Sequence, residues 1–190
     1  MQVMKFPGDQ VLIQALDSAV QCRGACDQTA RVRDALCRLI HDRTLQLPRI
    51  VHRAGEETYA RRLIHHSPDL GYTVLAMTWG PHQGTKIHDH SGMWCVEGVL
   101  EGQVEVVQYE LIEQDQDRYC FEARGSMQAG VGSAGSLIPP HEYHTIANPL
   151  SEQVAITIHV YSGEMTCCNV FEPRENNWYE KTSRSLGYDN

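Results

Sequence analysis

Ten histidines stand among the 190 residues, and their positions sort them. His88 and His90 flank Asp89 in the run Ile87-His88-Asp89-His90. On a strand, residues two apart share a face, so both imidazoles project to one side and can share a metal ion, while Asp89 projects to the other. The other reading of the run is a polar loop with two solvated histidines. A second cluster, Pro139-Pro140-His141-Glu142-Tyr143-His144, offers a third imidazole from either His141 or His144. His144 falls on an expected strand, with Asn148 four residues on; His141 reads as a turn residue after two prolines. A third run, from Val154 to Tyr161, alternates cleanly. Ile156, Ile158 and Val160 form one face and Thr157, His159 and Tyr161 the other. Turned inward, that hydroxyl, imidazole and phenol form a polar relay; on an edge strand they form a solvated face.

These residues need elements to position them. Asp9 is the expected N-cap of a helix over about 10–22, with Val11, Leu12, Ala15, Leu16 and Ala19 on one face. Thr29 is the expected cap of a second, with Val32, Ala35, Leu36, Leu39 and Ile40 at helical spacing and Pro48 ending the pattern. A short third helix is expected over about 55–63. From Gly71 onward the chain becomes a series of short β runs, near 72–79, 85–90, 94–99, 102–111, 118–123, 136–138, 142–147, 154–161 and 166–171. Many short strands at close spacing predict an antiparallel sandwich or barrel with the helices packed on one face. The expected fold is mainly β in a single domain, 1–190. Residues 1–70 form a mainly helical segment, 71–173 the barrel and 174–190 a polar tail that Trp178 and Tyr179 pin down.

Composition limits the partners. Lys and Arg number 16 against 24 Asp and Glu, a net charge of −8, which argues against nucleic acid and anionic membranes. No stretch approaches the roughly 20 apolar residues that span a bilayer. The opening MQVMKFPGDQ lacks the apolar core of a cleaved signal. Seven cysteines, an odd number, suit a reducing cytoplasm better than a disulfide scaffold. Cys22 and Cys26 form one C-x3-C pair with no second pair at zinc-finger spacing. The oligomeric state is left open.

Taken together, the motifs resemble those of the cupin barrels. His88-x-His90 with Gly102 is similar to the first cupin motif, and Pro139-x4-His144-x3-Asn148 to the second. Cupins usually carry a glutamate ligand shortly after the H-x-H; here Cys95 takes that place, as in the thiol dioxygenases and specifically cysteine dioxygenase. Trp79-Gly80 precedes the H-x-H by the expected strand. Tyr59-Ala60-Arg61 resembles the segment whose arginine binds the substrate carboxylate, with Arg62 as the neighbouring alternative. Thr157-x-His159-x-Tyr161 resembles the family's relay, with Thr for Ser. Ser162 to Phe171 resembles its pocket-cysteine segment, with Cys168 at the cysteine position. The resemblance covers about 55–172. It departs in its first glycine, in His141 and in Gly163, which replaces a proline.

The resemblance implies a function. His88, His90 and His144 would hold Fe(2+) through three neutral imidazoles. Arg61 and Tyr59 would place a small thiol amino acid beside it, and O2 would be the second substrate. Tyr161, oriented by His159 and Thr157, would contact substrate or oxygen. In animal members the pair matching Cys95 and Tyr161 forms a thioether, which makes that cross-link available here. The expected reaction is oxidation of L-cysteine to cysteine sulfinic acid. 3-Mercaptopropionate, mercaptosuccinate or another thiol carboxylate is the nearest alternative, and a non-enzymatic ligand-binding cupin the next.

Overall fold

The computed structural model describes residues 4–189. Two helices come first, α1 (Asp9–Val20) and α2 (Ala25–His41). Both start at glycines rather than at the expected caps: Gly8 precedes α1, Gly24 precedes α2, and Asp9 sits in the first turn, where its charge suits the helix dipole. Thr29 lies inside α2, buried, with its hydroxyl donating back to the Cys26 carbonyl at 3.1 Å.

Eleven strands follow among the described residues. They are β1 (Ala60–Ser67), β2 (Tyr72–Trp79), β3 (Ile87–His88), β4 (Cys95–Glu101), β5 (Gln103–Asp115), β6 (Arg118–Gly130), β7 (Ala134–Leu137), β8 (His144–Ala147), β9 (Ala155–Tyr161), β10 (Cys167–Pro173) and β11 (Trp178–Ser185). One sheet runs β1-β2-β9-β4-β7; the other six strands pair in a ring, β10-β11-β6-β5-β8-β3, that closes where β3 meets β10. All these pairings are antiparallel. This is the mainly β barrel with N-terminal helices that the strand spacing predicts.

Two boundaries differ from expectation. The third helix is absent: residues 60–67 are β1, paired along β2 from Ala60↔Thr78 to Ser67↔Tyr72. A strand wins because its first five residues are buried on both faces, Ile64 against the helix-side core and Leu63 in the barrel interior. The tail is also sheet: β11 pairs with both β10 and β6, and so the barrel runs from residue 60 rather than 71 and includes part of 174–190.

The first sheet is buried on both faces, which is why β2 and β9 carry no exposed residue. Its outer face, with Val74, Ala76, Val96, Ile156, Ile158 and Val160, packs on Leu12, Leu16, Val32, Leu36 and Ile40 of the helices. Its inner face, with Leu75, Met77, Trp79, Cys95, Val99 and Tyr161, lines the barrel. The apolar side of β9 therefore serves the helices, and its polar side, Thr157-His159-Tyr161, is turned into the interior. A third cluster of Ile87, Tyr119, Phe121 and Phe171 joins β3, β6 and β10. Among the described residues no helix is long and apolar enough to cross a membrane, and all seven cysteines are unpaired.

Candidate metal centre and substrate pocket

β3 and the loop after it deliver His88 and His90, and β8 delivers His144 directly opposite His88 in the ladder. Asp89 faces away, as alternation requires. Its carboxylate accepts from the Ser91 amide (3.1 Å), the Asn169 amide (2.9 Å) and the Asn169 side chain (2.6 Å), which pins the H-x-H to β10. Asn148 is a clamp rather than a ligand: its amide donates to the carbonyls of Trp79, Gly80 and Gln153. His141 is exposed in its turn.

The three rings converge. Their centroids lie 5.3 Å apart for His88–His90, 4.4 Å for His88–His144 and 5.1 Å for His90–His144. One nitrogen from each falls within 4.8 Å of the others. Backbone contacts set the tautomers. The Nδ1 of His88 lies 3.1 Å from the Lys86 carbonyl and that of His144 lies 2.8 Å from the Glu142 carbonyl. A carbonyl only accepts, so each Nδ1 carries the proton and each Nε2 presents a lone pair. Both nitrogens of buried His90 lack a partner, as does His144 Nε2. Burial and the neighbouring imidazoles hold His90 well below the usual histidine range and push His88 down to about 3, so both rings are neutral donors. Convergent nitrogens, two of the rings neutral and the buried ones left without partners, fit a divalent metal.

The relay on β9 is assembled. Trp79 Nε1–H donates to Thr157 Oγ1 at 2.9 Å, and Thr157 Oγ1 lies 2.7 Å from His159 Nε2. The threonine oxygen keeps a second lone pair, so the tautomer is set by the Glu97 carboxylate, which only accepts: it places the His159 proton on Nδ1 and leaves Nε2 to accept from the threonine hydroxyl, so the relay ends at Nδ1. That nitrogen lies 3.3 Å from the Tyr161 hydroxyl and 3.2 Å from Glu97 Oε1. Tyr161 packs edge-on against His90 at 5.6 Å. Cys95 is the register partner of Tyr161 across β4 and β9. Burial raises both the Cys95 thiol and the Tyr161 phenol well above their ordinary values, so both are neutral.

Arg61 and Arg62 point to opposite faces of β1, because adjacent strand residues must. Arg62 faces outward, toward the Val51 carbonyl and Thr78. Arg61 faces the pocket beside Tyr59, Met77, Tyr161, Met165 and Cys168. Its guanidinium donates to the Gly187 carbonyl (2.8 Å) and the Met165 carbonyl (3.3 Å), and its buried Nε–H has no partner. Tyr188 covers it at 5.6 Å, and Asp189 accepts from the Arg61 amide at 2.7 Å. Tyr59 stacks on Trp79 at 4.4 Å. Cys168 is kept protonated, its thiol pushed up to about 11 mainly by burial.

Two residues escape a reading of the sequence. Arg184 lines the outer mouth with Thr85, His88 and Cys168, in a strand that polarity alone marks as tail. Glu97 is buried beside the histidines, with Oε1 3.3 Å from His144 Nε2. Burial would raise its carboxyl, but His159 and His144 outweigh this and hold it well below the usual range. Burial likewise lowers His144, and the Glu97 charge and contact reverse this, raising it. The signal for Glu97 was alternation: it shares a strand face with Cys95, which the motif already turned inward.

This chain is similar to known proteins. A family model described as cysteine dioxygenase type I matches residues 49–174. Cysteine dioxygenase type 1 of Danio rerio is 22% identical over 116 residues, covering 61% of this chain and 57% of that protein. The Rattus norvegicus protein of the same name is 19% identical over 116 residues, covering 61% and 56%. The match therefore spans little more than half the length of these relatives. Among solved structures, the TT1209 protein from Thermus thermophilus is similar at 20% identity and a TM-score of 0.47, covering 62% of this chain and 94% of that one. With two thirds of its length matched by the family model, the chain belongs to the cysteine dioxygenase type I family.

Proposed function

We propose that this chain is an iron-dependent dioxygenase that takes a small thiol carboxylate, L-cysteine first, and O2 to the sulfinic acid. The observation that supports it most is the convergence of three buried imidazoles on a pocket that also holds one buried, incompletely bonded guanidinium. His88, His90 and His144 would hold the iron. When bound, Fe(2+) supplies the redox partner that lets triplet O2 react with a closed-shell thiolate. The overall change balances without an external reductant: both oxygen atoms end on sulfur.

The chain's own residues bind and orient. Arg61 offers its unused donors to the substrate carboxylate, a planar, bidentate match. The relay keeps Tyr161 aimed at the same space, where its hydroxyl donates to a carboxylate or sulfinate oxygen. Neutral Cys168, Met77 and Met165 form an uncharged wall, and Arg61 is the cationic group that would select the substrate's anionic end. Cys95 and Tyr161 are candidates for a thioether: a C–S bond forms, two hydrogens leave, and O2 is the oxidant. A mass 2 Da lower after aerobic turnover with Fe(2+) and thiol is the expected outcome, and an unchanged mass in active enzyme counts against it.

The test is oxygen consumption by protein loaded anaerobically with Fe(2+), with sulfinate followed by mass spectrometry. Uptake with cysteine, one O2 per sulfinate, is expected. Uptake with 3-mercaptopropionate and not cysteine would move the assignment to that substrate, a reading that Glu97 favours because it occupies space beside the metal ligands. No uptake with any thiol would leave a ligand-binding cupin.

A further inference from the structure

We infer that Arg184 is a second carboxylate-binding residue, and that the substrate is a thiol carrying two carboxylates, one held by Arg61 and the other by Arg184. This deepens the thiol-carboxylate reading proposed above and rests on it for the thiol.

Arg184 lies on β11 opposite Cys168 on β10. Cross-strand partners project to one face of a sheet, so Arg184 leaves its strand on the side to which Cys168 turns, the pocket side. It lines an outer chamber of about 520 Å³. Tyr59, Thr85, His88 and Cys168 line both this chamber and the inner pocket that holds Arg61. The chamber is therefore the mouth of the same site, with the two arginines on either side of shared walls. Burial raises the Tyr59 phenol and the Cys168 thiol, and both guanidiniums oppose it at each.

Charge balance singles out Arg184. Lys86 and Glu172 also line the mouth, and Lys86 Nζ reaches the two Glu172 oxygens at 2.7 and 2.6 Å, so they neutralise each other. Among the described residues no carboxylate pairs with Arg184. A chain of net charge −8 thus presents an uncompensated positive charge at this opening.

The chemistry of the occupant follows. A guanidinium is planar and its paired N–H donors match a carboxylate bidentately. A thiol monocarboxylate uses Arg61 and leaves the outer chamber to water. A thiol dicarboxylate, with its sulfur at the histidines and one carboxylate on Arg61, turns the second toward the mouth. A cationic group directed there meets Arg184 as a like charge.

The test uses this chain loaded with Fe(2+) under nitrogen, where nothing turns over. Calorimetry reads the dissociation constants of mercaptosuccinate and 3-mercaptopropionate, and oxygen is then admitted and its uptake followed. Wild-type protein is expected to bind mercaptosuccinate about tenfold more tightly, with a preference that shrinks as salt rises because the mouth is open to water. Arg184→Gln should abolish the preference. Arg174→Gln removes the same charge from a residue that pairs with Glu180, and should keep it. Circular dichroism checks that both variants fold, and Arg184→Lys, which keeps the charge without the fork, should retain part of the preference. Equal binding of the two thiols by wild type, survival of the preference in R184Q, or its equal loss in R174Q would overturn the inference. Binding of neither thiol would overturn both the subsite and the substrate reading. The preference without O2 uptake would sink the dioxygenase reading and leave the subsite; uptake without the preference would sink the subsite alone.

Discussion

At the level of single residues, Arg61 is the sharpest determinant of the pocket. Its guanidinium is buried, and only part of its donor set is used by the Gly187 and Met165 carbonyls. A substrate carboxylate pairing with the remainder is desolvated, and removing one partner of such a pair costs about 3–5 kcal/mol. Arg61→Ala should therefore lower kcat/KM roughly 10²–10⁴-fold, chiefly through KM, with metal affinity unchanged; steady-state kinetics with metal titration checks this. Arg62→Ala should leave KM alone, because Arg62 faces Val51 and Thr78. In the sequence the Tyr59 spacing favours Arg61 and leaves Arg62 open; the β1–β2 register, Arg61↔Met77 and Arg62↔Ala76, assigns their faces.

At the level of elements, β4 links the helices to the site. Its inner face carries Cys95 and Glu97, while Gly98 lies directly under α2. A Cβ on Gly98 would stand 3.2 Å from Ile40 Cδ1 and 3.3 Å from Leu36 Cδ1. Gly98→Val should overpack this contact and destabilise the protein by about 1–3 kcal/mol, read by denaturant unfolding. The segment after β11 is the other positioning element. Gly187, Tyr188 and Asp189 hold Arg61 by its side chain, its ring-facing surface and its amide. Deletion of 186–190 should raise KM for the thiol carboxylate while leaving Co(2+) affinity within about twofold. An unchanged KM would mean that β1 alone fixes the arginine. The sequence marked this segment only as polar, because its function depends on a contact with a strand more than a hundred residues earlier.

At the level of the whole molecule, the barrel keeps histidines neutral, and this sets a pH dependence. His88, pushed down to about 3, and His90, also strongly lowered, stay unprotonated in the folded, metal-free protein. In the unfolded chain both titrate near 6.5. Below that pH the unfolded state binds more protons, so this contribution is complete above about pH 6.5 and is lost as pH falls. His144, raised beside Glu97, has the opposite sign: its contribution is present below about 6.5 and fades as pH rises through its folded value. Two groups against one predict that the metal-free Tm falls between pH 7.5 and 5. A His88→Asn/His90→Asn double variant should show a flatter profile. An equally steep profile in that variant would assign the slope to other groups.

The sequence alone determined the mainly β class, the pair of N-terminal helices and the H-x-H pair, because each follows from local periodicity or from spacing along one strand; the third histidine was left between His141 and His144 by spacing and chosen through the family resemblance. H-x-H needs only period-two alternation to place two rings together, and T-x-H-x-Y needs only the same rule. Tertiary structure decided the rest: that His88 faces His144 across a ladder, that Arg61 rather than Arg62 lines the pocket, that residues 60–67 are strand, and that Glu97 lies among the histidines. These depend on register between strands distant in sequence, and a shift of one residue would turn every one of those side chains to the opposite face.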